Sequence, residues 1–448
     1  MLVALALVIL VLPLLLQRLV APTRFGDAYL LDIGFFFSLV VAAYGAFPLL
    51  GIALADSGIG ELHDARFGGV VPPQDAVFAV GLMYLLFLTG FVLTYAAVRR
   101  RAPGRVAEIP WVRPSQRDLW AAIGLLAAVK LSIFISRAIL GIETSEDYLG
   151  TYLELAGQPL IVQQLLGILT ASELSVTILV IVVTIARNPR LHVWVGALVA
   201  LQIAIAILGG GSRSQAFTCA LAYVVARSIF DRRLGFSFIV SAGAAGIMAF
   251  LVAGLLRQAR TAGEELPSLY LLQGGEFLSV FCNSLDLADR LRELEDPLFR
   301  LGLYLVDLLR LIPRQVVGDL KLDPATFYTA TFYPEFSEAG GGLAFGAVAE
   351  ATIGFGPVEA LVRGAFVGGL YAWVRQACLG PNRTVARAFI YTWFVVLSYQ
   401  SIRDTTFSVF PRFVFQMLPL LIALRFMGVL RPHRLILSRI RPAALTPT

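Results

Sequence analysis

Apolar residues in this chain fall in long uninterrupted runs, and polar residues gather in the breaks between them. Crossing about 30 Å of hydrocarbon as a helix takes roughly 20 predominantly apolar residues. Runs of about that size lie near 2–17, 29–54, 75–98, 118–140, 161–186, 192–208, 214–230, 235–256, 357–378, 386–402 and 412–430, with 192–208 and 214–230 short for a span. The pattern predicts an all-α, polytopic integral membrane protein with about eleven transmembrane helices. The first run lacks a positive leading region and a small-residue cleavage site, and it reads as a retained span rather than a removed signal.

One interval breaks the rhythm. Residues 257–356 form a connection several times longer than the others, and long structured loops commonly carry binding and catalysis. Within it, Phe277, Phe281, Leu285, Ala288 and Leu291 recur every three to four residues, while Asp286, Asp289, Arg290 and Glu293 fall mostly elsewhere. That spacing predicts an amphipathic helix over 275–296. The segment 297–314 is also helical in pattern, opening on Pro297 and interrupted by Arg300, Asp307 and Arg310, as suits an interfacial or re-entrant helix. A short helix over 343–353, bracketed by Gly340 to Gly342 and by Gly356-Pro357, is too short to cross. Irregular backbone at membrane depth is tolerated only where protein or a watery cavity covers it. The chain therefore divides into 1–256 with spans one to eight, the large loop 257–356 with amphipathic and short re-entrant helices, and 357–448 with spans nine to eleven and a basic tail.

Composition strengthens the membrane reading: 58% of the 448 residues are hydrophobic and only 15% charged, with a mean hydropathy of +0.79. The formal net charge of +6 carries no nucleic-acid signal, because the basic residues sit in short loops. Such loops stay cytoplasmic. The loop 99–117, with six arginines, fixes that side; Arg18, Arg24, Arg187, Arg190, Arg232, Arg233, Arg383, Arg387 and the tail then alternate onto it. The acidic loops 54–64 and 141–155 and the long insertion fall on the other, outer face, which gives an N-out, C-in arrangement.

That arrangement puts several arginines outside, against the trend. They are Arg213 in "GGGSRS", Arg257 and Arg260 in "GLLRQARTAG", Arg314 in "LIPRQVVGDLK", and Arg403 and Arg412 in "SIRDTTFSVFPR". Any one could simply snorkel to headgroups. As a set they suit a polyanion, because a guanidinium stays charged and donates in pairs to phosphate oxygens. Three glycines before Arg213 allow close backbone approach, and Ser212 or Ser214 can cap a helix whose N-terminus attracts anions. The alternative is a tight turn between helices with an N-cap.

Outer carboxylates are Glu276, Glu335, Glu338, Glu350 and Glu359. Glu359 and Arg363 stand four apart and read as an internal ion pair. Glu350 has no charged neighbour three or four residues away. In a partly desolvated cavity it could serve as a general base, or equally as a polar residue bonded to backbone. The three histidines, His63, His192 and His433, are scattered, which argues against a histidine metal site or a histidine triad. Cys219, Cys282 and Cys378 form no disulfide framework. No nucleotide-binding phosphate loop or dinucleotide fingerprint occurs. The aromatics of "FYTATFYPEF", with Tyr270 and Tyr304, offer flat faces for sugar rings.

The stretches "LGGGSRSQAF", "GLLRQAR", "LIPRQVVGDLK" and "AVAEATIGFGPVEALV", with the layout of many spans and one dominant outer loop, resemble the Wzy-type O-antigen polymerase family. The resemblance implies a metal-independent, cofactor-free glycosyltransferase of the membrane-embedded C type in a bacterial inner membrane. Such an enzyme polymerises undecaprenyl-pyrophosphate-linked oligosaccharide repeats on the periplasmic side, in membrane lipid, and works with a chain-length regulator protein. Carried onto matching positions, it implies that Arg213, Arg257 and Arg260 hold pyrophosphate, with Ser212 and Ser214 beside them. Arg314 would sit in the loop contacting substrate and Glu350 near the acceptor hydroxyl, although the glycine- and alanine-rich "EAGGGLAFGAVAEA" leaves Glu338 as the other candidate acid. Arg403 joins the substrate-binding set from its outer position rather than from the resemblance. Two rival classes remain. A ligase-like glycosyltransferase would share donor and fold but use a lipid A acceptor and an outer histidine, for which His63 is a poor choice. A flippase or other transporter would show repeats and charges near the bilayer midplane.

Overall fold

The computed structural model describes residues 1–20, 32–62, 64, 70–100, 113–141, 159–208, 213–230, 270–273, 275–290, 305, 308–309, 311–312, 316, 324–338, 343–380 and 384–428 of the chain. Every regular element among them is helical. In chain order these are α1 (Leu2–Val20), α2 (Ile33–Asp56), α3 (Gln74–Arg100), α4 (Gln116–Leu140), α5 (Leu160–Arg187), α6 (His192–Leu208) and α7 (Arg213–Phe230). The long loop contributes α8 (Tyr270–Gln273), α9 (Gly275–Arg290), α10 (Pro324–Phe332), α11 (Pro334–Glu338) and α12 (Ala347–Ile353). Last come α13 (Pro357–Leu379), α14 (Val385–Leu397), α15 (Gln400–Arg403) and α16 (Val409–Phe426).

Among the described residues five helices are long and apolar enough to cross a bilayer: α2, α3, α4, Leu165–Arg187 of α5, and α16. Leu2–Leu16, His192–Leu201 and Phe217–Phe230 are shorter apolar helices. The chain is a helical, membrane-embedded protein. Residues 235–256, the eighth expected span, lie outside the described residues. The tenth run does not form one uniform helix: α14 ends at Leu397, and the chain tightens through Ser398 and Tyr399 into α15. Ser398 Oγ, at that junction, donates to Val395 O at 2.8 Å, and Asp404 then leaves helical geometry. The eleventh starts three residues early, at Val409, and holds a π turn over Phe413–Met417.

Helix starts follow local chemistry. Asp32 caps α2 by accepting from Gly34 N and Phe35 N at 3.0 and 3.4 Å. Ser115 and Asp118 form a reciprocal capping box on α4, and Thr384 Oγ1 caps α14. With no apolar solvent difference between lipid and side chain, helices in a membrane associate through close packing, and small residues permit it. α3 and α13 run parallel on this principle. A Cβ at Gly364 would lie 1.9 Å from Phe87 O, one at Gly368 2.5 Å from Phe91 O, and one at Gly90 2.1 Å from Leu361 O. Gln376 Nε2, further along, donates to Val98 O at 3.0 Å.

The loop pieces pack at one end of the bundle. Gln273 bonds Ile59 O beyond the C-terminus of α2, and Phe281 of α9 stacks on Tyr84 of α3 at 5.5 Å. The amphipathic helix ends at Arg290 within the described residues, and its apolar face, including Leu278, Phe281 and Cys282, is buried. Cys282 is thus a core residue rather than a loop thiol; all three cysteines are free and buried. A second small core joins Leu287, Tyr328, Phe345 and Ala349. The aromatic segment folds into it: Tyr328 and Tyr333 donate to Asp286 Oδ2 at 2.5 and 2.7 Å, and Arg290 lies 5.1 Å over the Phe332 and Tyr333 rings. Burial and the bond to Asp286 push the Tyr333 hydroxyl up. Tyr328, fully buried, is structural here rather than a platform for sugar.

Candidate functional site

α12 is short because glycine sets both its ends. Gly346 at its N-cap has a φ of +99°, a left-handed value that disfavours a side chain, and Gly356 after it has +62°. Two ties hold the extended lead-in 343–346: Asn283 of α9 donates to Ala344 O and Phe345 O, and Gly346 N donates to Asp404 O at 2.7 Å. Thr352 lies 3.9 Å from Met83 Sδ, nine residues into α3. At about 1.5 Å per residue that is about 14 Å along the helix. Irregular backbone therefore lies deep in the bundle with protein around it, as Ala347, Val348, Ala349 and Ala351 are buried.

Glu350 projects from α12 into a charged knot. Its Oε2 accepts from Arg363 Nη1 at 2.6 Å, Thr406 N at 2.8 Å and Thr406 Oγ1 at 2.6 Å. Arg363 Nε donates to Glu359 Oε1 at 2.5 Å, and Phe355 N donates to Glu359 Oε2 at 2.9 Å. The Glu359–Arg363 pair expected from spacing is present, but Arg363 also reaches back thirteen residues across the glycine break to Glu350. Glu350 and Arg363 are 3% and 7% exposed, so two carboxylates and one guanidinium are held out of water. Such groups persist only when paired and hydrogen-bonded.

The next network is wetter and one turn away in sequence. Glu276 of α9 accepts from Arg403 Nε and from Tyr44 OH of α2, the latter at 2.8 Å. Side chains of Arg403 and Glu276 are 36% and 28% exposed. Arg412 lies 3.6 Å from Asp404 and donates to Gln400 Oε1 at 3.3 Å. The segment 403–406 thus links an accessible ion pair to a buried one.

α7 opens at Arg213, so the glycine run does lead directly into a helix N-terminus, with Ser214 in its first turn. Phe217, four residues on, packs edge-on against Tyr399 with centroids 6.2 Å apart. The N-terminus of α7 therefore lies at the same end of the bundle as Arg403, Glu276 and α12. Ser212, Arg257, Arg260 and Arg314 lie outside the described residues. Glu338 ends α11 and is exposed, as is Glu335. Among the described residues no group of three or more His, Cys, Asp or Glu is placed to hold a metal ion.

Sequence reasoning missed Thr406, the second clamp on Glu350, and Glu173. Lys130 lies about midway along α4, where it pairs with Glu173, midway along α5, at 2.6 Å. Helical spacing reveals neighbours three or four apart; partners on other helices leave no such trace. Comparison of the chain with protein-family models, with curated proteins and with solved structures gives no match.

Proposed function

We propose that the chain is a polymerase of lipid-linked oligosaccharide repeat units, acting on the outer face of a bacterial inner membrane through an eleven-span, GT-C-like fold. The observation that carries this reading is a convergence at one end of the bundle. A glycine-led helix N-terminus at Arg213, the accessible Arg403–Glu276 pair and the re-entrant Glu350 helix all belong to the end where the long loop packs. A helix N-terminus and guanidinium groups favour a pyrophosphate, and a carboxylate nearby can take a proton from an attacking hydroxyl.

In this reading Arg213, Arg257 and Arg260, with Ser212 and Ser214, hold the undecaprenyl pyrophosphate of the donor glycan, while Arg314 and Arg403 orient the sugar chains. The acceptor hydroxyl forms its bond to the anomeric carbon as the glycosyl–phosphate bond breaks. The electron pair leaves on the pyrophosphate, where the arginines stabilise the charge. Glu350 takes the hydroxyl proton, with Glu338 the exposed reserve. Because Thr406 and Arg363 occupy Glu350 Oε2, substrate must draw this clamp open before that oxygen can act as a base.

A second reading is a transporter for the same lipid-linked glycan, favoured by the Lys130–Glu173 pair at mid-helix height. Cells lacking the gene distinguish the two. A polymerase deficiency accumulates single repeats on the outer leaflet, a transporter deficiency on the inner leaflet. Arg213→Ala should fail to restore polymer in these cells at normal protein level, and Arg213→Lys should restore little, since charge remains but the planar fork is lost. Full restoration by Arg213→Ala would remove the pyrophosphate role from the glycine-rich turn.

A further inference from the structure

The end of the bundle opposite the long loop carries a charge cluster that the proposed reaction does not use. The N-terminus of α2, the last turns of α3 and α13, and the second turn of α14 meet there. Asp32 is at the centre, and its carboxylate accepts four hydrogen bonds. Oδ1 accepts from Gly34 N, Phe35 N and, at 2.6 Å, Tyr95 OH; Oδ2 accepts from Arg375 Nε. Tyr391 OH accepts from Ile33 N at 2.9 Å and closes the ring of contacts.

A second guanidinium, Arg99, stands one turn on from Tyr95 in α3 and so on the face of that helix that meets Asp32. Its Nε is buried, yet it has no hydrogen-bond partner. A buried charged donor left without an acceptor costs on the order of 1–3 kcal/mol or more. Two guanidiniums therefore share one carboxylate, and of the two only Arg375 bonds to it. The unmet requirement is for a compact anion with several acceptor oxygens, at the level where helix ends reach the bilayer surface. Basic pockets between spans at that level suit acidic headgroups.

We propose that Arg99 and Arg375 form a binding site for a phosphate group, supplied by the headgroup of an acidic phospholipid. Arg99 contributes its orphaned Nε and Arg375 the guanidinium nitrogens beyond the one bonded to Asp32. The bound phosphate ties α3 to α13 at the end where their parallel glycine packing runs out, near Gln376 and Val98. The site is independent of the polymerase reading.

The test compares the full-length parent with Arg99→Gln in detergent micelles, by thermal unfolding and by native mass spectrometry, with phosphatidylglycerol, phosphatidylcholine or inorganic phosphate added. Phosphatidylglycerol should raise the parent's unfolding midpoint by several degrees and remain attached, phosphatidylcholine should do neither, and Arg99→Gln should lose both effects. Without lipid, Arg99→Gln should unfold at or above the parent's midpoint, because it removes an unpaired donor and relieves repulsion from Arg375. A rise with inorganic phosphate that also depends on Arg99 would support the phosphate site with a soluble anion as its source. Equal responses of parent and variant to every addition, or failure of the variant to fold, would overturn the proposal.

Discussion

Replacing Arg363 by alanine should destabilise the protein by about 3–5 kcal/mol, the range for removing one partner of a buried ion pair. The loss arises because Glu350 and Glu359 stay behind with their charges in a water-poor interior, facing a cavity where the guanidinium was. A large drop in unfolding midpoint in micelles and low accumulation in cells should report it. Neutralising all three positions together, with Arg363→Met, Glu350→Gln and Glu359→Gln, should recover much of the loss, since no uncompensated charge remains. An Arg363→Ala protein within about 1 kcal/mol of the parent would show that the knot is not held by this arginine.

Glu350→Gln should have its main effect on turnover rather than on folding. Glutamine keeps an oxygen that can accept from Thr406 and Arg363, and Arg363 retains Glu359, so the clamp loses charge but not shape. Losing a general base costs a factor of about a hundred to ten thousand. With purified lipid-linked repeats, Glu350→Gln should bind donor normally and polymerise slower by that factor across pH. Rates equal to the parent's would move the proton to Glu338 or to the substrate's own phosphate and leave Glu350 a purely positioning residue.

Much of the helical layout is legible in the residues themselves. The expected start at 75 lies one residue from Gln74, that at 161 one from Leu160, and Pro357 opens α13 as its glycine–proline signal predicts. Apolar runs and caps are local, so a linear reading recovers them. The short α12 is legible for the same reason, since the Gly340–Gly342 and Gly356-Pro357 breaks bracket it, although it starts four residues later than expected, at Ala347 after Gly346. The site is less so. Glu359–Arg363 obeys helical spacing and is visible in advance, but the bridge from Arg363 to Glu350 and Thr406 depends on a chain reversal and on a third segment 43 residues away. Asp32 and Arg375 are separated by 343 positions, and only the packing of α2, α3 and α13 brings them together. Long-range pairs of this kind are set by tertiary packing, which hydrophobic periodicity does not encode.

The most direct test of the central proposal uses the purified protein in liposomes, supplied only with undecaprenyl-pyrophosphate-linked repeat units. No nucleotide sugar or metal is added, and a chelator is present. A ladder of lipid-linked products growing by whole repeats, with release of undecaprenyl pyrophosphate in step with each bond formed, is the predicted result. Unchanged single repeats, with parent protein folded and substrate bound, would contradict a polymerase; their movement between leaflets without bond formation would assign the chain to transport instead.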